Sequence, residues 1–316
     1  MKKISTDGDL TWAIETPEVP LLALDTNVLI EAGRGQANQG SGDARVMSFI
    51  SVARQKVEEG KLLCFETNQR EEYLGSADSP GIASVSAALT RGLRSHTGES
   101  VYNSELIIGM RGFLSGERDL SIPLTVRFDL NPDEITRSPK GSIHRSSAGL
   151  LAPVAMVSRA MKPADVSALT EAKKSYAGLN YKQARIRELQ ALAIRFLRGP
   201  MSEADAASYL DLWTASGGTD SSAFARFLTS PSCTNVPHSE IGAEIFADVM
   251  VSSQPIESGD LHDVGHLSIA LPVARFVLTD ARMRDRLRRL TLDLRWSVKV
   301  FSIGTLSDLA AEICQL

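Results

Sequence analysis

Acidic residues directly follow two apolar runs of the sequence. The run LLAL (21–24) is followed by Asp25, and the run FVLT (276–279) is followed by Asp280. Both runs are typical of strands buried on both faces of a parallel sheet. A carboxylate next to such a strand is costly to desolvate unless it is paired or lies in a polar crevice. The position of these two acids therefore indicates either a binding site or a structural pairing.

Further acids follow the same pattern. Glu71 and Glu72 lie beyond a third apolar run, LLCF, and Asp263 lies in the first turn of the helix predicted before residues 276–279. Open parallel sheets bind ligands at the carboxyl ends of their strands, so these acids converge if the strands are neighbours. Converging carboxylates repel one another unless a divalent cation binds them, and Mg²⁺ or Mn²⁺ prefers oxygen ligands. We therefore predict a Mg²⁺ or Mn²⁺ site that hydrolyses phosphodiesters with a metal-activated water.

The order of predicted elements indicates an α/β fold, a parallel sheet with helices on both faces that is interrupted by a large, mostly helical insertion. Strands alternate with helices in residues 18–76 and 239–316, which we assign to the core. Residues 77–238 show mainly helical periodicity with Ser/Gly/Pro-rich joints, and 125–130 (TVRFDL) is an additional strand candidate within them. Residues 1–17 are predicted to be an N-terminal extension.

The composition is that of an ordinary globular protein. The chain has 316 residues and a formal net charge of -4, which does not by itself indicate nucleic-acid binding, although a local basic face is compatible with it. Three cysteines that lie far apart argue against a disulfide framework and against a thiolate zinc site. No apolar run reaches the roughly 18–20 residues of a membrane span, and no secretory signal is evident. We predict a cytoplasmic protein with no membrane partner.

Two segments resemble the PIN-domain family of metal-dependent ribonucleases. They are LLALDTNVLI (21–30) and HDVGHLSIALPVARFVLTD (262–280). The family pattern is an apolar strand followed by DTN, a Glu in the helix after the second strand, DxxHxxxA in a later helix, and a strand ending in TD. The resemblance covers about residues 18–76 and 239–316 and implies a PIN-like core there. The long middle block departs from compact family members and leaves the substrate and the partner open.

The resemblance also implies roles for individual residues. The four acids that would bind the metal and carry out catalysis are Asp25, Glu72, Asp263 and Asp280. Glu72 is preferred to Glu71 because the family usually has an aliphatic or aromatic residue after the second acid, and Tyr73 follows Glu72. Supporting or substrate-contacting roles are predicted for Thr26, Asn27, His266, Thr279 and Arg282.

The activity implied by the resemblance is that of an endoribonuclease with RNA as its substrate. Two kinds of protein partner stay open, namely an inhibitor or antitoxin-like protein and a second copy of the chain. Two other functions also stay open. One is a non-catalytic RNA- or protein-binding module with a PIN-like core, and the other is a metal-dependent phosphatase that acts on a small phosphoester.

Several of these residues have an alternative structural role. Asp25 and Asp280 both precede predicted helices, so each can cap a helix N-terminus, a contribution of about 1 kcal/mol. His266 fits a structural or supporting histidine better than a ligand. The arginine-rich segment 282–290 is either a solvated amphipathic helix or a contact surface for phosphates. In the first case Met283, Leu287 and Leu290 form its buried stripe, and its arginines lie on both sides of that stripe.

Overall fold

The computed structural model describes residues 1–6, 9–37, 42–67, 79–137, 163–199, 201–257 and 259–316. It divides into two compact units, which we name the core unit and the helix-rich unit. The core unit consists of Thr16–His96, Arg127–Ala160 and Val273–Leu316. The helix-rich unit consists of Met1–Glu15, Thr97–Val126 and Met161–Pro272. This division differs from the predicted one, because residues 239–272 belong to the helix-rich unit and not to the unit that contains the strands preceding Asp25 and Asp280.

The secondary structure elements are numbered in chain order. The strands are β1 (Lys2–Ser5), β2 (Thr11–Ile14), β3 (Leu21–Leu24), β4 (Leu63–Cys64), β5 (Asp119–Ile122), β6 (Phe276–Thr279) and β7 (Lys299–Ser302). The helices are α1 (Thr26–Ala37), α2 (Ala44–Glu58), α3 (Ser79–Thr90), α4 (Gly98–Ser115), α5 (Pro132–Arg137), α6 (Pro163–Lys174), α7 (Tyr181–Leu189), α8 (Ala191–Arg198), α9 (Glu203–Ala215), α10 (Ser221–Leu228), α11 (Pro231–Thr234), α12 (Pro237–Val251), α13 (Asp260–Ala270), α14 (Ala281–Arg289), α15 (Leu292–Arg295) and α16 (Leu306–Cys314).

A four-stranded parallel sheet forms the centre of the core unit. Its strand order is β4-β3-β6-β7, and each neighbouring pair is parallel. All four residues of β3 and of β6 are buried, as the continuous apolar runs LLAL and FVLT predict for strands covered on both faces. The α/β class and the parallel sheet predicted from the sequence are therefore confirmed.

The strand order changes direction between β3 and β6. The chain runs from β3 to β4 on one side of β3, and it later returns to place β6 on the other side. In doubly wound sheets, ligands bind outside the carboxyl ends of the strands at such a reversal. Leu24 lies opposite Leu278 in this pair of strands, so the two strands end at nearly the same level.

Helices α1 and α3 of the core unit pack closely through two glycines. A Cβ atom placed on Gly81 would lie 2.7 Å from the carbonyl oxygen of Gly33, and one placed on Gly33 would lie 2.6 Å from Cγ1 of Ile82. Any larger side chain at either position would push the helices apart. Helix α2 packs on α16 in the same unit.

The helix-rich unit contains a second, smaller sheet. Strand β2 pairs antiparallel with β1 and parallel with β5. The predicted N-terminal extension, residues 1–17, thus supplies two paired strands. The prediction of a strand at residues 125–130 is wrong, because β5 ends at Ile122 and Leu124–Val126 forms a short 3-10 helix. No helix in the described ranges combines the length and the apolarity needed to cross a membrane.

Candidate functional site

Asp25 occupies the carboxyl end of β3 and caps the helix that follows. The residue is 8% exposed, and its backbone N–H donates to the carbonyl oxygen of Leu278 at 2.9 Å. Its Oδ1 atom accepts a hydrogen bond from the backbone N–H of Asn27, in the first turn of α1, at 2.7 Å. The capping role considered for Asp25 is therefore present, and it fixes the orientation of the carboxylate at the edge of the sheet.

Asp280 occupies the equivalent position at the end of β6. Its Oδ1 atom accepts a hydrogen bond from the backbone N–H of Met283, in the first turn of α14, at 2.8 Å. The preceding residue, Thr279, is 3% exposed, and its hydroxyl donates to Oδ2 of Asp25 at 3.4 Å. That distance is longer than is usual for a hydroxyl donor, so the bond is weak, but it joins the ends of the two strands.

The two acids thus lie at the reversal of strand order, each at the N-terminus of a helix. Helices α1 and α14 direct the positive ends of their dipoles and their first N–H groups towards this edge, which favours negative charge there. Capping and cation binding both require a carboxylate at the turn from strand to helix. For each acid the capping hydrogen bond described above is made by Oδ1.

The remaining residues predicted beside these acids have different environments. Thr26 is 9% exposed at the start of α1, and the side chain of Asn27 is exposed. Arg282 is partly buried in the first turn of α14. Because the side chain of Asn27 is exposed, the contact that Asn27 makes with Asp25 is the hydrogen bond from its backbone N–H.

A third carboxylate, that of Glu66, lies at this edge and was not among the predicted site residues. The residue follows β4 by two positions and is 6% exposed. Its carboxylate pairs with Nε of Arg94 at 2.9 Å and accepts a hydrogen bond from the hydroxyl of Ser86. The sequence feature that could have identified Glu66 is its position directly after the apolar run LLCF, since Asp25 and Asp280 also directly follow apolar runs. Because its carboxylate is bonded to both Arg94 and Ser86, Glu66 forms a structural ion pair with Arg94.

The predicted second acid lies outside the described residues. Glu72 and the alternative, Glu71, fall in the range 68–78. Their predicted role stays a prediction.

Asp263 and His266 lie on α13, in the helix-rich unit. Asp263 is partly buried in the first turn, and its backbone N–H donates to the carbonyl oxygen of Gly259 at 2.9 Å. His266 is 7% exposed, and burial lowers its pKa to about 4. His266 is therefore neutral at physiological pH, and its structural or supporting role stays a prediction.

We expect the burial of His266 to make the stability of the protein depend on pH. The pKa of this histidine in the unfolded chain is about 6.5, so below that pH the unfolded state binds a proton that the folded state does not bind until about pH 4. Stability is therefore fully present above pH 6.5 and is lost as the pH falls through this window, by up to about 3 kcal/mol for this group. Urea unfolding at pH 7 and at pH 4.5 measures the loss.

The matched variants for this measurement are His266→Gln and His262→Gln. His266→Gln removes the titrating group, so its stability should change less between the two pH values than that of the wild type. His262 lies on the same helix and is less buried, so its replacement should leave the wild-type pH dependence in place. A His266→Gln variant with an undiminished pH dependence would assign the effect to other groups.

Within the described residues, no group of three or more His, Cys, Asp and Glu side chains is positioned to hold a metal ion. The core unit brings Asp25 and Asp280 together at the ends of neighbouring strands. Asp263 lies in the other unit, and Glu72 is not described. The described part of the site is therefore a pair of carboxylates.

The arginine-rich helix α14 is amphipathic but has an arginine in its buried stripe. Met283 and Leu287 are fully buried, as predicted, whereas Leu290 is only partly buried. Arg286, expected beside the stripe, is only 3% exposed. The Nη1 atom of Arg284 donates to the hydroxyl of Ser302, at the end of β7, at 2.9 Å. One arginine of this helix thus lies at the same edge as Asp280.

Comparisons with known proteins identify no relative. Scans against protein-family models, curated proteins and solved structures each found no match for this chain. The interpretation of the site therefore depends on its geometry and on the sequence resemblance.

Proposed function

We propose that this chain is a Mg²⁺- or Mn²⁺-dependent endoribonuclease with a PIN-like core that is interrupted by a large, mostly helical insertion. The observation that carries the proposal is the placement of Asp25 and Asp280 at the reversal of strand order, at the carboxyl ends of two adjacent parallel strands. The choice of RNA as the substrate comes from the resemblance alone. The roles of Glu72 and Asp263 remain predictions, and the proposal does not depend on them.

The donor set fits a hard divalent cation. Mg²⁺ is usually held by one or two carboxylates together with water and substrate phosphates, and it does not need a closed cage of protein ligands. Asp25 and Asp280 supply two such carboxylates. When bound, the cation would lower the pKa of a coordinated water and neutralise charge on the scissile phosphate.

The protein groups around the two acids hold them in place. The N–H of Asn27 and the hydroxyl of Thr279 hold the two oxygens of Asp25, and the N–H of Met283 holds Asp280. These contacts restrict rotation of both carboxylates, so little reorganisation is needed when a cation and a phosphate bind. The first N–H groups of α1 and α14 also favour the approach of a phosphate.

The test is cleavage of labelled single-stranded RNA by the wild type in Mg²⁺, in Mn²⁺ and in EDTA. We expect cleavage only in the presence of a divalent cation, with no hydrolysis of a small aryl phosphate under the same conditions. Hydrolysis of the aryl phosphate without cleavage of RNA would instead identify a phosphatase. RNA binding without cleavage of either substrate would identify a binding module.

A further inference from the structure

A mostly apolar cavity of about 380 Å³ lies between the first turns of α2 and α16 in the core unit. Its walls include Phe49, Ile303 and Leu306, and its exposed rim includes Arg45, Ser48 and Ser307. The volume is within the range of about 300–1,000 Å³ that is typical of small-molecule sites. The cavity is therefore large enough for an organic group with apolar faces and polar edges.

The cavity lies at the same edge of the sheet as Asp25 and Asp280. Helix α16 follows the carboxyl end of β7, separated from it only by the short 3-10 helix Ile303–Thr305. Helix α2 leads back to the start of β4, so its first turn lies at the opposite end, the carboxyl edge. A ligand that extends along this edge can therefore reach both the carboxylate pair and the cavity.

Arg284 connects the helix that Asp280 caps with the strand end next to the cavity. It follows Asp280 by about one helical turn, and its guanidinium bonds Ser302, the residue directly before the cavity residue Ile303. Its side chain is 18% exposed, and its Nε and Nη2 atoms also bond the Asp285 carboxylate, at 2.9 and 2.8 Å. Ser302 and Asp285 thus hold the guanidinium at this edge, and a substrate phosphate would bind it in place of the exposed Asp285 carboxylate.

A nucleobase has the properties that this cavity and its surroundings require. Its flat faces are apolar, its edges carry hydrogen-bonding groups, and it is attached to a phosphate for which arginine is a preferred partner. Only a base that is unstacked can enter a cavity in this way, which requires a single strand. The rim hydroxyls of Ser48 and Ser307 are available to the edges of such a base.

We propose that this cavity binds one unstacked base of a single-stranded RNA substrate, and that Arg284 contacts a phosphate between that base and the cleaved bond. This proposal rests on the proposed ribonuclease function for the identity of the polymer. It adds to that function a second point of contact for the substrate, away from the carboxylate pair.

The test fills the cavity with an indole ring and measures RNA binding without cleavage. Ser48→Trp places the ring at the rim, and Ser51→Trp is the matched control because Ser51 is exposed on the same helix and does not line the cavity. Binding of a fluorescein-labelled hexauridylate is followed by anisotropy in EDTA. We expect Ser48→Trp to raise Kd by about 10-fold and Ser51→Trp to leave it unchanged.

A second filling variant, Ser307→Trp, should reproduce the loss from the other side of the cavity, and far-UV circular dichroism checks the fold of each variant. Equal affinity of the wild type and of both folded filling variants would overturn the proposal. Equal affinity of the wild type for single-stranded and duplex RNA would overturn it as well.

The outcome is distinguishable from that of the ribonuclease proposal. If the wild type does not cleave RNA but Ser48→Trp and Ser307→Trp still weaken binding, the cavity assignment holds and the nuclease assignment fails. If the wild type cleaves RNA and the filling variants bind and cleave as the wild type does, the nuclease assignment holds and the cavity assignment fails.

Discussion

Asp25→Asn is expected to reduce metal-dependent RNA cleavage by at least about 10²–10³-fold, the loss typical when a key electrostatic group of an active site is removed. The substitution removes one of the two carboxylate charges at the reversal of strand order. The carbonyl oxygen of an asparagine can still accept the hydrogen bond that the N–H of Asn27 donates to Asp25 at 2.7 Å. The cap on α1 is therefore kept, and repulsion from Asp280 is reduced.

Thermal melting separates the two roles of Asp25. In EDTA we expect the Asp25→Asn variant to melt at or above the temperature of the wild type. Mn²⁺ should raise the melting temperature of the wild type more than that of the variant, because a ligand that binds only the folded state stabilises it by mass action. Asp25→Ala, which removes the cap as well, should lose about 1 kcal/mol or more in EDTA.

Asp129→Asn is the control for a general effect of charge. This carboxylate belongs to the core unit, has a side chain that is 78% exposed, and should change neither cleavage nor the Mn²⁺-induced shift. Full cleavage activity in Asp25→Asn would make Asp25 a helix cap alone, and the metal-dependent mechanism would then need to be abandoned.

Arg185→Met is expected to destabilise the helix-rich unit by about 3–5 kcal/mol, the usual cost of leaving buried charges without their partner. Arg185 lies on α7 and bonds two glutamates of α12. Its Nη2 atom lies 3.2 Å from Oε1 of Glu240, and its Nε atom lies 2.5 Å from Oε1 of Glu244. The glutamate side chains are 2% and 9% exposed, and that of Arg185 is 21% exposed.

Tyr181 completes this buried cluster. Its hydroxyl donates to Glu244, and burial together with that hydrogen bond raises the pKa of the tyrosine. The tyrosine therefore stays a neutral donor and cannot replace the positive charge of Arg185. Without the guanidinium, two carboxylates one helical turn apart would remain buried on α12.

Chemical denaturation measures the effect, with Lys182→Met as the control because Lys182 is exposed on the same helix. The control should change the free energy of unfolding by less than about 0.5 kcal/mol. Replacing Arg185, Glu240 and Glu244 together with apolar residues should recover most of the loss, since no unpaired charge then remains. A small loss for Arg185→Met alone would show that water reaches these carboxylates.

The amino-acid sequence by itself determined the local elements next to the candidate site. The runs LLAL and FVLT are buried strands because residues covered on both faces must all be apolar. The acids that follow them are placed at helix starts because a carboxylate satisfies the free N–H groups of the first turn. These features depend on neighbours within a few residues, so a single sequence reveals them.

Tertiary structure decided which of these elements meet. That β3 and β6 are adjacent depends on pairing between segments about 250 residues apart, which no local pattern encodes. The ion pair of Glu66 with Arg94 and the burial of Arg286 likewise follow from the packing of whole elements. The assignment of α13, with Asp263, to the helix-rich unit has the same origin, because a helix joins the unit against which it buries its apolar face.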